Sequence, residues 1–239
     1  MENSLIGRQD DMAFCYSPSN MMIYRQCPLK FFGQSIEKSI KWRASVQKSR
    51  GTVIHSQIEK CMRLGMQENI TWDDKIDLGY TRGVIERVRH AIAQGYKLTT
   101  EAELVATKEG KVASWWDDNA FLRSKADVLL VHPDPSMPVI IGDIKTGRIY
   151  DKEDFQLLTE AFLAHLVCQR PLVSYAYWYV DQGEDVDGTI NFNNGLQPVQ
   201  IVLDTLSDMQ KAIKNNDFPP KKNALCRWCQ WHKTEHCNV

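Results

Sequence analysis

The sequence predicts an α/β or α+β fold built on a mixed sheet. Three features predict it. Helical periodicity fills roughly the first 95 residues, short β-rich segments take over from there, and an amphipathic helix then separates two groups of strands. Helices laid down before and between strands must bury their apolar stripes against that sheet.

The elements follow in order. Ser17-Pro18-Ser19 is a helix-start signal, and Met22, Ile23, Leu29, Phe31 and Phe32 carry the expected helix over residues 17–45, with Pro28 marking a kink or a restart. Gly51 opens a second helix over 52–64, with Val53, Ile54 and Ile58 toward the core. A third spans 80–94, with Val84, Ile85, Val88 and Ile92 at helical spacing. Leu98, Leu104 and Val105 with intervening threonines predict a strand over 97–107. The runs ADVLLVH (126–132) and VIIGDIK (139–145) flank Pro133-Asp134-Pro135 and read as a β-hairpin. A helix over 155–167, strands over 172–180 and 199–203 and a last helix over 206–215 complete the expectation. This divides the chain into a helical region (1–95), a core (96–218) and a cysteine-rich tail (219–239).

With 43% hydrophobic and 25% charged residues, the chain has the balance of a globular protein that buries its own core. The net charge of -1 gives no global basic field, so any nucleic-acid surface has to be local. Lys30, Lys38, Lys41, Arg43, Lys48 and Arg50 crowd one stretch, and Lys221 and Lys222 lie near the other end. No run is apolar enough for a signal peptide or a bilayer span, so the expectation is a cytoplasmic protein with no membrane partner. Seven cysteines in a reducing compartment point to metal binding or burial rather than a disulfide framework.

The hairpin carries the chemistry. Its geometry brings Asp127, on one strand, toward Asp143 at the end of the next. Asp143 and Lys145 are two apart and leave one face of their strand. Asp143 follows Val139, Ile140 and Ile141, where a core strand would continue apolar. A charge buried there needs a partner, and two carboxylates with water suit Mg²⁺ or Mn²⁺. A bound cation of this kind acidifies its water and neutralises phosphate oxygens, and an adjacent ammonium adds fixed positive charge.

The line Ala126-Asp127-Val128 followed by Ile140-Ile141-Gly142-Asp143-Ile144-Lys145-Thr146-Gly147 resembles the catalytic motifs of the PD-(D/E)xK nuclease superfamily, and within it the RecB-like branch. That branch includes the CRISPR-associated exonucleases with an iron–sulfur cluster and phage-type stand-alone exonucleases. Tyr24-Arg25-Gln26-Cys27-Pro28-Leu29-Lys30-Phe31 resembles the family's opening helix, Gly51-Thr52-Val53-Ile54-His55 its G-x-x-x-H motif, and Asp154-Phe155-Gln156 its helix glutamine. The resemblance implies a restriction-endonuclease-like core. Asp127, Asp143, Lys145 and Gln156 would be catalytic, and His55, Asp127, Asp143 and the Ile144 carbonyl would hold Mg²⁺ or Mn²⁺. It implies a DNA exonuclease acting on ends or single strands in recombination, repair or processing, with a processing protein or a second copy as partner, in the host cytoplasm if phage-encoded. Many relatives carry tyrosine where this chain has Glu160, which puts a DNA-contacting role for that helix face in doubt. Glu103, on the strand before the hairpin, is a candidate supporting carboxylate.

Cys226-x-x-Cys229 is a chelating unit, and Cys237 adds a third thiol. By resemblance Cys27 is the fourth, closing a [4Fe-4S] clasp between the chain's ends. Zn²⁺ on three cysteines with His232 or His236 is the alternative. Cys15, Cys61 and Cys168 read as small buried hydrophobes. Trp228 and Trp231 with Lys221, Lys222, Arg227 and Lys233 suit either a stacking surface for a single strand or packing around the metal. Trp115-Trp116 fits a DNA-gripping loop or a loop docked on the core. The alternatives to a nuclease are a non-catalytic iron–sulfur or zinc DNA-binding or assembly protein of the same fold, and a zinc interaction module. No G-x-x-x-x-G-K-[ST] motif is present, so a motor would be a separate chain.

Overall fold

The computed structural model describes residues 14–40, 46–64, 75–147, 149, 154–237 and 239, with the backbone alone for 46–49. Its centre is a five-stranded mixed sheet in the order β1-β2-β3-β4-β5, formed by Lys97–Thr107, Ala120–Val131, Val139–Lys145, Leu172–Tyr179 and Glu184–Asn191. The β2–β3 pair is the expected antiparallel hairpin, with Val128 opposite Gly142. The β3–β4 pair is parallel, with Asp143 level with Tyr177. A parallel step needs a crossover, and helix α5 (Phe155–Cys168) supplies it. The remaining helices are α1 (Pro18–Gln26), α2 (Pro28–Phe31), α3 (Val46–Leu64), α4 (Leu78–Ala93) and α6 (Gln200–Asn215).

Both faces of the sheet are buried. Val139, Ile141 and Val173 point to one face, where α5, Met21 of α1 and Met209 of α6 form one core with them. Ile144, Trp178 and Val180 point to the other, against Ile54 and Ile58 of α3 and Val84 and Val88 of α4. Helix α5 is covered by sheet on one side and helices on the other, so its apolar residues run all round it. Gly142 leaves room for the indole of Trp178 from the neighbouring strand. A Cβ there would meet the Trp178 ring at 2.1 Å.

One irregularity shapes the site. Along β1, Tyr96 and Leu98 face the α3–α4 core, but Ala102, Leu104 and Ala106 face the α5 core. Along β2, Ala126 faces α5 and Val128 faces α3. The turnover falls at Glu101 and Asp127, which stand opposite each other between the paired couples Thr100–Val128 and Ala102–Ala126. Glu101 takes φ 49, a left-handed conformation costly for a non-glycine residue.

Several expectations are corrected. The helix expected over 17–45 is broken. Cys27 is extended (φ -164, ψ 111) because a residue before proline avoids the α region, and Pro28 starts a short new helix. A π-turn, Phe32–Ile36, follows, and positions 41–45 of that helix, with Lys41 and Arg43, lie outside the described residues. Asp127 is interior to its strand, which begins at Ala120 rather than 126. Residues 199–203 are not a strand. Val202, Leu206 and Met209 lie on the buried side of α6, a spacing of three to four that outweighs the local β-propensity of Ile201 and Val202. Strand β5 (EDVDGTIN) was not expected. As an edge strand with mostly exposed side chains it needs few apolar residues.

The tail closes on the N-terminal helices. Trp231 is buried, and a Cβ on Gly33 would meet its ring at 2.6 Å. Phe218 and Phe32 stack at 4.9 Å beside it. None of the helices among the described residues is long and apolar enough to cross a membrane.

Because Trp178 has little room to retreat, Gly142→Ala is expected to cost about 1–3 kcal/mol of folding stability. Urea denaturation measures this as a lower midpoint at unchanged slope.

Candidate active site

Asp143 and Lys145 end β3 on its α5 face. The apolar run before them carries the strand into the core, so Asp143 is only 4% exposed. Its Oδ2 lies 2.7 Å from Lys145 Nζ, an ion pair in which no donor meets that oxygen at hydrogen-bond geometry. Its Oδ1 accepts from Gln156 Nε2 at 2.7 Å, and Gln156 Oε1 accepts from Lys145 Nζ at 2.9 Å. The ammonium also sits 4.9 Å from the centre of the Tyr177 ring. Gln156 thus touches both members of the pair from the first turn of α5.

Asp127 approaches from β2. Its Oδ2 accepts from the Ile144 backbone N–H at 2.7 Å and lies 3.3 Å from His55 Nδ1. The turnover of the sheet at this residue turns its carboxylate across toward β3 and α3. Gly51 brings α3 close to the end of β3. A Cβ at Gly51 would stand 3.1 Å from Thr146 Oγ1. Arg50 fixes the same helix end with two 2.8 Å bonds to Asp181, which also accepts from Gly147 N–H at 2.6 Å. The sequence-predicted residues His55, Asp127, Asp143, Ile144, Lys145 and Gln156 therefore meet at one place.

Burial is the main force on the charges here. It pushes the Asp143 carboxyl up to about 6, with Lys145 opposing and Asp127 adding. It pulls the Lys145 ammonium down, but Asp143, Glu160 and Asp127 reverse this, so the ammonium is held above its ordinary range. His55 likewise loses by burial and gains more from Asp127 and Asp143, ending raised. Lys145 is therefore held as an ammonium, a hydrogen-bond donor and a fixed charge rather than a free base. The oxygen and imidazole donors of Asp127, Asp143 and His55 suit a hard divalent cation. Among the described residues, no three His, Cys, Asp or Glu side chains already close into a metal shell.

Three residues were missed or misplaced by sequence reasoning. Glu160 does not face DNA. It is fully buried on α5, accepting from Gln156 Nε2 at 2.9 Å and Ser124 Oγ at 3.0 Å. Its signal was a lone charge, one turn after Gln156, in an otherwise apolar helix. Glu103 is exposed and pairs with Lys125 at 3.5 Å rather than with Asp127 or Asp143. Glu101 is the carboxylate that feels Asp127 and His55, and burial, then Asp127, raises its pKa.

Lys145, Gln156, Tyr177 and Tyr179 open into a groove of about 1000 Å³, whose far wall is built by Arg25 of α1, Asp208 of α6 and Lys221 of the tail. Lys221 Nζ donates to the Arg25 carbonyl at 2.9 Å. Behind that wall, Cys27, Cys226, Cys229 and Cys237 line one cavity of about 20 Å³ together with His232. Backbone N–H groups of Lys221 and Asn223 donate to the sulfurs of Cys27 and Cys226 at 3.4 and 3.2 Å. Of the other three cysteines only Cys61 is buried, while Cys15 and Cys168 are half-buried. Arg123 lies 4.7 and 5.6 Å from the Trp115 and Trp116 rings, and Trp116 is 83% exposed. Trp228 is exposed, and only Trp231 packs inward.

The family model of the PD-(D/E)XK nuclease superfamily matches residues 16–234, which include the acidic hairpin and end before Cys237. The chain belongs to the PD-(D/E)XK nuclease superfamily. Solved structures are similar to the chain at low identity. SSO0001 is 13% identical over 93% of this chain and 85% of its own, with a TM-score of 0.41. A protein from Eubacterium rectale that bears an exonuclease name is 13% identical over 100% and 96%, at 0.49. An alkaline exonuclease from Laribacter hongkongensis is 11% identical over 86% and 91%, at 0.36. Likenesses this distant carry no argument about function. No curated protein sequence matches.

The buried carboxyls give the fold a pH signature. Burial pushes Glu160 up from 4.5 to about 8. Between those values the folded chain holds a proton that the unfolded chain releases, so stability falls as pH rises through this window. Urea titration in EDTA is expected to show that slope, and Glu160→Gln is expected to flatten it.

Proposed function

We propose that the protein is a divalent-cation-dependent DNA nuclease, working as an exonuclease on DNA ends or single strands. The observation that carries this reading is the meeting of Asp127, Asp143 and Lys145 where β2 turns over beside the end of β3, with His55 alongside. Asp127, Asp143, His55 and the Ile144 carbonyl would hold Mg²⁺ or Mn²⁺, which when bound supplies an acidified water and neutralises phosphate charge. The chain's own part is electrostatic and positional. Lys145, kept protonated by its carboxylate neighbours, offers a fixed positive charge to the phosphate as its negative charge grows. Gln156 sets the direction of that ammonium through Oε1 and of Asp143 through Nε2.

The groove supports a single-stranded substrate. Tyr24, Tyr177 and Tyr179 offer ring faces there, and Arg25 and Lys221 offer cations. DNA recombination, repair or processing is the proposed setting.

The proposal extends to a metal centre on Cys27, Cys226, Cys229 and Cys237, a [4Fe-4S] cluster on the family resemblance. Zinc held by three of these cysteines with His232 is the second reading, since buried His232 Nδ1, in the lining of the same cavity, finds no hydrogen-bond partner among the described residues.

End-labelled duplex and single-stranded DNA, digested with Mg²⁺ or Mn²⁺, test the nuclease. Lys145→Ala is expected to lower the rate about 10²–10³-fold. Equal digestion by wild type and variant sinks the assignment, and tight DNA binding without cleavage supports the non-catalytic alternative. Protein purified without oxygen is expected to be brown, absorbing at roughly 400 nm through thiolate–iron charge transfer, and Cys226→Ala is expected to be colourless. A colourless wild type with bound zinc identifies the tetrahedral site instead.

A further inference from the structure

Gln156 is useful to the catalytic pair in only one of its two amide orientations. As placed, Oε1 accepts from the Lys145 ammonium, and Nε2 donates to Asp143 and to Glu160. Rotating the amide by half a turn puts its oxygen against the Asp143 carboxylate and its NH₂ against the ammonium. Both contacts to the catalytic pair then become repulsive or are lost. Asp143 alone meets one of the two Nε2 protons, and without Glu160 the other would be buried with no acceptor.

We infer that Glu160, seated by Ser124, is a positioning residue that locks the Gln156 amide in the orientation required by Lys145 and Asp143. The inference rests on the nuclease reading and deepens it. Glu160 stands four residues after Gln156 on α5, so the two share a helix face. Its Oε1 is held from the far side by Ser124 Oγ at 3.0 Å. Ser124 lies on β2, the strand that carries Asp127, so the network joins β2, α5 and β3. Glu160 is 0% exposed and cannot touch DNA. It sits among Leu157, Ala161, Leu163 and Ala164, where an apolar side chain would pack at lower cost. Its Oε2 has no partner among the described residues. Stability alone does not account for a half-satisfied carboxyl in that setting, whereas an oxygen aimed at Gln156 does.

The test compares Glu160→Met, Glu160→Gln and Ser124→Ala with wild type on a labelled single-stranded oligonucleotide with Mn²⁺. Glu160→Met is close in size and apolar, so it is expected to keep or raise the urea midpoint. Its kcat is expected to fall about 10–100-fold, the usual effect of removing a supporting partner, with KM within about twofold. Glu160→Gln still presents an Oε1 acceptor and is expected to stay within about threefold of wild type. Ser124→Ala is expected to lose several-fold and to add nothing to Glu160→Met, because the two act through one contact.

Wild-type kcat in Glu160→Met overturns the inference. So do losses that multiply in the double variant, or a Glu160→Gln as impaired as Glu160→Met. Should Glu160→Met fail to fold, Ser124→Ala must be slower than Glu160→Gln, and the reverse order overturns the inference. A second readout needs no cleavage. The Gln156 carboxamide protons, assigned by their loss in Gln156→Ala, are expected to exchange slowly in metal-free wild type and Glu160→Gln and fast in Glu160→Met. If the wild type never cuts DNA, the nuclease reading fails, and the exchange rates still decide whether Glu160 holds the amide.

Discussion

The constraint on which the rest depends is a carboxylate that the fold buries at the end of an apolar strand. Asp143 follows Ile141 and Gly142 into the space between sheet and α5, where an isolated charge is costly. Its neighbourhood is arranged to tolerate it. Lys145 returns along the same face of β3, Gln156 donates from α5, and Tyr177 covers the ammonium from the parallel strand. Burial makes these contacts strong, since a low dielectric magnifies both attraction and the cost of leaving a group unpaired.

The second acid arrives by a different device. An uninterrupted β2 would point every other side chain to a fixed face and leave Asp127 no route to both His55 and the β3 backbone. The change of face at Glu101 and Asp127 supplies that route, and the left-handed backbone of Glu101 bears part of its cost. Backbone strain and the Asp127 carboxylate thus stand side by side on neighbouring strands. The sheet separates two cores, one filled by α5 with α1 and α6, the other by α3 and α4.

Much of this was legible in the sequence because it depends on short-range pattern. Asp143 and Lys145 two apart, after an apolar run and across a proline-marked turn from Asp127, define a hairpin chemistry without knowledge of the fold. His55 is singled out by the resemblance of Gly51-Thr52-Val53-Ile54-His55 to the G-x-x-x-H motif, and the structure shows the glycine letting α3 approach Thr146. What escaped depends on long-range partners. Glu160 stands out in the sequence only as a departure from the tyrosine of many relatives, and its buried role needs Ser124, 36 positions earlier, to be seen meeting it. Glu101 and Glu103 are equivalent by alternation, and only the turnover decides which one feels Asp127. Residues 199–203 carry β-branched side chains whose preference is overridden by the buried stripe they share with Leu206 and Met209. Strand β5 has too few apolar residues to announce itself, and its pairing with β4 defines it.

The contact between the tail and the first helix has a consequence for assembly order. The Lys221 amide and the Cys27 sulfur are 194 positions apart, and Trp231 seals the same seam against Gly33. Loop-closure entropy grows only logarithmically with chain length, so fastening such distant partners costs little more than fastening near ones. Contacts of such long sequence separation are nonetheless slow to form. A chain emerging from the ribosome makes Cys27 and Arg25 long before Lys221, so the wall of the groove that Arg25 and Lys221 share cannot close until almost the whole described chain has been made.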